Sequence, residues 1–326
     1  TPYFAALQFN FTGVTGDVTG WINGDSISVL PGAGRLFNHP GEIGLGGMNN
    51  GSVYHDGPDG GYDHFFNGNI SELIINNTVY NLAQSNIVNN YLSAKYNVPI
   101  TNDYYDHETD YSWGVFGIGQ EDLNNTHSVA QGNGMVRIDN PGNLNNGDYL
   151  LIGHNNGDIN AWTNTSVPQN DPNIRRIERI WRADDRNNSI GTIRLALDQT
   201  QLPPRPFGYS KYVLLVNSSG DFTTNTSVIE LSWNAALGMY SANNIDLSND
   251  KFFTIGVLNP AIRFEETASS GFEDETPAQF LVSLNYLNSS NVTASVFTSG
   301  LTATENDDYL PPAGSITIPA DQQSDT

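Results

Sequence analysis

The chain has 326 residues, no cysteine, and 13 basic against 35 acidic side chains, which gives a formal net charge of −22 at pH 7. That charge repels nucleic-acid backbones and anionic lipid headgroups, so both are poor partners. The absence of cysteine excludes disulfides, thiol nucleophiles and cysteine-based zinc sites, and no run approaches the ~18 apolar residues of a membrane span.

The distribution of residue types predicts an all-β chain of tandem β-sandwiches. Short runs of Val, Ile, Phe and Tyr alternate with Asn-Gly, Gly-Asp and Pro turn signals, and Gly occurs 32 times. We divide the chain into three segments, residues 1–100, 101–260 and 261–326, with one short helix near 85–97.

The first segment begins with predicted strands at 4–11 and 18–22, followed by a turn at Asn23-Gly24. Residues 66–77, FNGNISELIINN, are predicted to form a late strand that places Ile70 and Ile74 on one face.

The predicted helix follows directly. Ser85 is a suitable N-cap, and Pro99 prevents the helix from continuing. Apolar residues recur at helical spacing at Ile87, Val88, Tyr91, Leu92 and Tyr96. We expect this amphipathic helix to close the first sandwich.

Four motifs of the first segment occur in a recognisable order: WINGD at 21–25, EIGLG at 42–46, FNGNISELII at 66–75 and YLSAKY at 91–96. Together they resemble the C-terminal half of a LamG, or concanavalin-like, jelly roll. The resemblance implies a lectin-like sandwich whose first half is supplied by a longer chain or by strands of a neighbouring subunit. In such a sandwich Trp21 or Tyr54 would contact glycans.

The middle segment carries GVFGIGQED at 114–122, LLIGHN at 150–155, IERIWR at 177–182 and FFTIG at 252–256. These motifs resemble an uncharacterised β-rich domain that follows LamG-like modules in large multidomain bacterial surface proteins. The resemblance implies an extracellular or cell-surface location and supplies no catalytic residues.

The last segment is the most acidic, with Arg263 as its one basic residue against ten carboxylates. IRFEE at 262–266, FEDE at 272–275 and NDDY at 306–309 resemble the first half of a Calx-β domain, an Ig-like sandwich. The resemblance implies that carboxylates near the ends of this domain bind calcium.

Calcium takes six to eight oxygen ligands, which clustered carboxylates from two loops can supply. The alternative is that these acids are solvated on an acidic surface, and the sequence leaves both open. The predicted calcium ligands are Glu266, Glu273, Asp307 and Asp308, with Glu265 and Asp274 in reserve.

Other site chemistry is weakly indicated. The loop at 56–64 is acidic, but its Gly and Pro residues favour a turn over a calcium site, and we expect no metal between His55 and His64. The sequence contains no HExxH, GxSxG or P-loop motif, so we predict that the chain is not an enzyme.

Eight of the thirteen basic residues fall between Arg175 and Lys211. They either dock an acidic neighbouring module or pair locally with Glu178, Asp184 and Asp185.

Two functions therefore remain. The first is a surface adhesin or filament component that meets neighbouring modules or subunits through β-sandwich edges and is rigidified by calcium. The second is a carbohydrate-binding segment of a large secreted protein.

Overall fold

The structure is a computed structural model that describes residues 2–12, 15–34, 53–54, 57–58, 66–132, 134–266, 268, 270, 279–287, 291–311 and 314–325. The chain divides into two compact units, Thr1–Tyr80 and Asn81–Thr326. Strands are the main secondary structure among the described residues of both, and the predicted all-β class is confirmed.

The first unit contains an antiparallel meander of β1 (Ala5–Thr12), β2 (Thr15–Ile22) and β3 (Asp25–Gly34). The turn between β2 and β3 is Asn23-Gly24, both with positive φ, as a two-residue hairpin turn requires. This predicted turn is confirmed. Two further short strands, β4 (Val53–Tyr54) and β5 (Gly57–Pro58), pair with each other.

The stretch at 66–77 forms no strand, so its prediction as a strand was wrong. A strand requires a neighbouring strand that exchanges backbone hydrogen bonds with it, and residues 66–77 pair with no described strand. Ile70, Ile74 and Ile75 are exposed rather than half-buried.

The second unit begins with helix α1 (Leu82–Tyr96), followed by a single turn, α2 (Glu108–Tyr111). Asn81, not Ser85, is the N-cap of α1, and it forms a capping box with Gln84. Asn97 ends the helix in the left-handed conformation. Neither α-helix of the described part of the chain is long and apolar enough to cross a membrane.

The remaining strands also lie in the second unit, together with two 3₁₀ helices, Pro168–Asn170 and Gln199–Gln201. The strands are β6 (Trp113–Asp122), β7 (Asn125–His127), β8 (Ala130–Gly132), β9 (Val136–Asp139), β10 (Asp148–His154), β11 (Ile174–Arg176), β12 (Trp181–Arg186), β13 (Thr192–Leu197), β14 (Lys211–Asn217), β15 (Ser227–Asn234), β16 (Met239–Asp246), β17 (Phe252–Leu258), β18 (Ile262–Phe264), β19 (Val282–Leu284), β20 (Val292–Ser295), β21 (Ser315–Ile318) and β22 (Ser324–Asp325).

Twelve of these strands form one continuous sheet, in the order β7-β6-β10-β12-β17-β14-β15-β16-β13-β9-β8, with β11 also paired to β17. The first part of β15 pairs with β14 and its last part pairs with β16, so β15 connects two halves of the sheet. Inward side chains from both halves share one core, which includes Ile152, Leu214 and Leu195. The sheet therefore folds over into a sandwich.

Helix α1 covers part of the outer face of this sandwich. On β10, Leu150 and Ile152 enter the sandwich core, while the alternate residues Tyr149 and Leu151 form a second cluster with residues of α1 such as Ile87. The sequence predicted that α1 closes residues 1–100. Instead, α1 packs on β6 and β10, because their outward side chains are apolar and need cover.

The C-terminal segment covers another part of the outer face. Val213 and Leu215 of β14 point away from the sandwich core and cluster with Val282, Leu284 and Ile318. The strands of this segment form the small sheets β18-β19-β22 and β20-β21. Residues 261–326 thus belong to the same compact unit as the middle segment. Their identity as a Calx-β half stays a prediction.

Candidate functional site

A cavity of about 180 Å³ lies where the last turns of α1 meet the start of β6 and the loop after β10. We call it the α1–β6 pocket. It is lined by Tyr91, Lys95, Trp113, Gly114, His154, Asn156 and Arg179.

One wall of the α1–β6 pocket is a Tyr–Lys pair on the helix. Tyr91 and Lys95 are four residues apart, which places them on the same face of α1. Lys95 Nζ donates to the Tyr91 hydroxyl at 2.7 Å and lies 5.1 Å from the centre of that ring. Lys95 Nζ also lies 5.3 Å from the centre of the Tyr96 ring, so two tyrosine rings border this ammonium group. Trp113, which also lines the pocket, begins β6 and is 49% exposed.

Arg179 supplies the second cation of the pocket. Its Nε donates to the carbonyl of Gly157 at 3.2 Å, which fixes the side chain against the loop after β10. Burial lowers the pKa of Arg179 and nearby Asp158 partly offsets that effect, yet a guanidinium stays charged at neutral pH.

His154, at the end of β10, is the neutral polar group of the pocket. Its Nδ1 accepts the backbone N–H of Asn156 at 3.0 Å, so the proton of the neutral ring is on Nε2. Burial, helped by the charge of Arg179, lowers the pKa of His154 to about 4. The pocket therefore presents two cations, two aromatic side chains and one uncharged imidazole at pH 7.

A second group of side chains gathers at a different place in the same unit. His107 precedes α2, Asp184 lies on β12, and Asp250 lies between β16 and β17. One ligand atom of each residue lies within 4.8 Å of the other two, and His107 Nε2 is 3.7 Å from Asp250 Oδ2. We call this group the His–Asp–Asp cluster. It is the one such triplet among the described residues.

Burial shapes the electrostatics of the His–Asp–Asp cluster. Asp184 is 8% exposed, and burial raises the pKa of its carboxyl, opposed by a hydrogen bond from the backbone N–H of Asp106 at 2.7 Å. The side chain of His107 is 9% exposed, and its Nε2 has no hydrogen-bond partner among the described residues. Buried polar atoms without partners are uncommon in folded proteins.

Residues 84–251, slightly more than half of the chain, match the family described as "Domain of unknown function (DUF8202)". The chain belongs to this family. No curated protein and no solved structure matches the chain.

The DUF8202 region contains both candidate sites. The pocket residues run from Tyr91 to Arg179 and the cluster from His107 to Asp250, all inside the matched range. The sequence did not single out either constellation, because its members come from separate segments with no fixed spacing. The Tyr91–Lys95 spacing is the one signal of the pocket that the sequence offered.

The predicted calcium ligands lie beyond the DUF8202 region. Glu273 is outside the described residues. Asp308 accepts the backbone N–H of Thr304 at 2.7 Å within a local turn, and neither Asp307 nor Asp308 joins Glu266 in a group of three close ligands in the described part of the chain. Calcium binding there stays a prediction.

The arginine-rich region between 175 and 211 does not pair as the local alternative expected. Its described ion pairs join Arg194 to Asp139 and Lys211 to Glu230, rather than reaching Glu178, Asp184 or Asp185. Other arginines lie over aromatic rings: Arg175 over Tyr209, Arg182 over Phe252, Arg186 over Tyr104 and Arg205 over Tyr212. Docking of an acidic neighbour stays a prediction.

The remaining residues that the sequence suggested for binding lie only partly within the described part of the structure. Trp21 lies on β2 and is half-buried, whereas the side chain of Tyr54 is outside what the structure describes. Most of the acidic loop at 56–64, including His64, and the neighbouring His55 also lie outside the described residues.

Proposed function

We propose that this chain is a non-enzymatic adhesion module of a multidomain, extracellular or cell-surface protein. In this proposal its contact site is the α1–β6 pocket, and its ligand is an acidic sugar residue at the end or in a branch of a glycan. The proposal joins the two functions that the sequence left open, because binding glycans is a way for a surface module to adhere.

The observation that carries the proposal is that two cationic side chains, Lys95 and Arg179, line one small cavity of a strongly acidic chain. Cations at the rim of a partly desolvated pocket attract a carboxylate and form charge-assisted hydrogen bonds with it. The remaining surface repels large polyanions, so a single acidic group on a largely neutral ligand is favoured over nucleic acid.

The aromatic walls support a sugar as the carrier of that acidic group. Tyr91 and Trp113 present flat apolar surfaces with polar tips, which suits a ring that has apolar C–H faces and polar edges. A volume of about 180 Å³ is below the ~300 Å³ of typical drug-sized pockets, so it fits one small ring rather than an extended chain.

A glycan array tests this function directly. We expect the protein to bind glycans that carry uronic or sialic acids and to ignore matched neutral glycans. Binding should weaken as salt concentration rises, since the interaction is between charges near the surface. It should also persist in EDTA, because no carboxylate lines the pocket as described to hold a bridging metal.

Two variants locate the site. Trp113→Ala and Lys95→Met should each weaken binding to an array hit at least about tenfold, equivalent to ~1.4 kcal/mol. Trp233→Ala is the matched control, since Trp233 is 53% exposed on β15 and does not line the pocket. Equal affinity of the Trp113 and Trp233 variants, or an array with no acidic hit, would contradict the proposal. Featureless arrays together with rods or fibres in electron micrographs would instead favour a spacer or filament role.

A further inference from the structure

We propose that the His–Asp–Asp cluster binds a divalent transition-metal ion, with Zn²⁺ as the preferred ion. The ion would be held by His107 Nε2 and by one carboxylate oxygen each from Asp184 and Asp250. This site is separate from the α1–β6 pocket and does not depend on the proposed glycan binding.

The distances between the ligand atoms suit one ion. Two atoms that each lie ~2.0–2.2 Å from a tetrahedral zinc ion are about 3.3–3.6 Å apart. His107 Nε2 and Asp250 Oδ2 are 3.7 Å apart, and the full set of three atoms lies within 4.8 Å. The Asp250 side chain is 45% exposed, so a small rotation of its carboxylate can close the remaining gap.

The second observation is the unsatisfied nitrogen of His107. Its side chain is nine-tenths buried, and Nε2 faces the two carboxylates without a hydrogen bond to either. A folded chain that buries such an atom loses stability unless something binds it. A metal ion at this point satisfies the nitrogen and also reduces the repulsion between Asp184 and Asp250.

The donor set indicates the kind of ion. An imidazole nitrogen with two carboxylates suits Zn²⁺ and, more weakly, Mn²⁺, whereas Ca²⁺ takes oxygen ligands almost throughout. The backbone N–H of Asp106 holds the Asp184 carboxylate at 2.7 Å, which is the kind of supporting hydrogen bond that orients metal ligands. Three protein ligands leave a fourth position for water.

The site would act as a structural link. Its ligands come from the segment before α2, from β12 and from the turn before β17, which are far apart in sequence. Because the ion binds only when these segments are together, metal binding is coupled to folding. At a free Zn²⁺ concentration 100 times the dissociation constant, we expect the melting temperature to rise by about 5–10 °C.

Isothermal titration of the metal-free protein with Zn²⁺, Mn²⁺ and Ca²⁺ tests the proposal. We expect one Zn²⁺ per chain and weaker Mn²⁺ binding at the same site. Ca²⁺ should not bind to the cluster, so the cluster variants should not change any Ca²⁺ binding. His107→Gln and Asp250→Asn should each weaken Zn²⁺ binding at least about 100-fold and abolish the rise in melting temperature. Co²⁺ substitution gives an independent readout, since its visible absorption should report nitrogen and oxygen ligands and disappear in the same variants.

His127→Gln is the control for surface histidine binding, because His127 lies on β7 outside the cluster and should leave Zn²⁺ affinity unchanged. Circular dichroism in the absence of metal checks that each variant folds. If His107→Gln does not fold, Asp250→Asn still decides, since Asp250 is on a partly exposed turn. Failure of the wild-type protein to bind Zn²⁺ or Mn²⁺, or equal affinity in the Asp250 and His127 variants, would overturn the proposal.

Discussion

Asp139 shows how a single buried charge is held in this sandwich. It is 2% exposed at the end of β9 and lies directly opposite Arg194 in the β9–β13 register. Arg194 donates to both carboxylate oxygens, through Nε at 2.5 Å and Nη2 at 2.8 Å, and Arg137 donates through Nε at 2.9 Å. Burial opposes ionisation of Asp139, but the two arginines outweigh it and lower its pKa.

The first prediction concerns this charge. Asp139→Asn should reduce the free energy of unfolding at pH 7 by about 2–4 kcal/mol, because it leaves two partly buried guanidinium groups without their anion. A carboxyl whose pKa is lowered on folding contributes stability above its unfolded pKa and loses it as pH falls through the folded value. The difference between wild type and variant should therefore shrink below about pH 4, the usual aspartate range.

Urea unfolding at pH 7 and pH 3 measures both effects. Asp110→Asn is the control, since Asp110 is exposed on the single turn α2 and should change stability little at either pH. A constant difference between wild type and Asp139→Asn across this pH range would show that the charge of Asp139 is not what stabilises the fold.

At the same scale, the sequence could predict only a part of the candidate sites. The Tyr91–Lys95 pair follows from helical spacing. Trp113 and Arg179 line the same pocket as that pair only because the start of β6 and the segment before β12 come close to α1 in the folded chain. His107, which precedes α2, likewise comes close to Asp184 on β12 only in the folded chain. When the order of strands in the sheet is unknown, spacing along the chain cannot predict which of these residues lie close together in space.

Helix α1 is the element whose packing differs most from its sequence pattern. The pattern predicted an apolar face, yet the residues that α1 buries include Asn86, Asn90 and Ser93. Asn86 Nδ2 donates to Glu121 Oε1 at 2.7 Å and to the Tyr149 hydroxyl at 3.1 Å. These polar groups tolerate burial because each has a partner.

A glycine on β6 makes room for this network. A Cβ at Gly119 would stand 2.2 Å from the Tyr149 ring, so only glycine lets that ring lie across β6. From there the Tyr149 hydroxyl donates to Glu121 Oε1 at 2.8 Å. Periodicity cannot anticipate such an interface, because it identifies buried faces by their apolar residues.

The second prediction tests this polar interface. Asn86→Ala should lower the free energy of unfolding by about 1–3 kcal/mol, since it leaves Glu121 and Tyr149 with fewer partners in a buried place. Asn89→Ala is the matched control on the same helix. Asn89 is only half-buried and makes neither of these hydrogen bonds, and alanine favours a helix more than asparagine does. Chemical denaturation that finds equal losses for the two variants would contradict the role of Asn86.

Residues 66–77 show that a strand-like sequence pattern does not ensure that a strand forms. Their β-branched and aromatic content is typical of a strand, but strand formation depends on partners elsewhere in the chain. Local propensity is reliable for α1, whose hydrogen bonds are internal, and for the Asn23-Gly24 hairpin, whose two strands adjoin it.

For the whole molecule, the second unit owes its coherence to a sheet that is covered on both faces. Alternate residues of β10 and β14 point into the sandwich core and to the outer face. Helix α1 covers the outer side of β10, and the C-terminal segment covers that of β14. Because both faces are buried, the two strands read in sequence as continuous apolar runs, YLLI in β10 and YVLLV in β14. The sequence did not identify the two covering elements, since many apolar segments could serve.

The last prediction follows from this cover and concerns where the folding unit begins. A fragment of residues 81–326 should unfold in a single cooperative transition at the denaturant midpoint of the same unit in the full chain. A fragment of residues 101–326 lacks α1, so it exposes Tyr149, Leu151 and Val115 to water and leaves Glu121 without Asn86. Lost apolar burial and lost hydrogen bonds together should cost about 4 kcal/mol or more, or lead to aggregation.

Urea unfolding of the two fragments and the full chain makes the comparison. A helix that packs on the sheet cannot be removed without a loss of stability. Equal midpoints for both fragments would therefore contradict this packing and favour the sequence-based expectation that α1 belongs to residues 1–100.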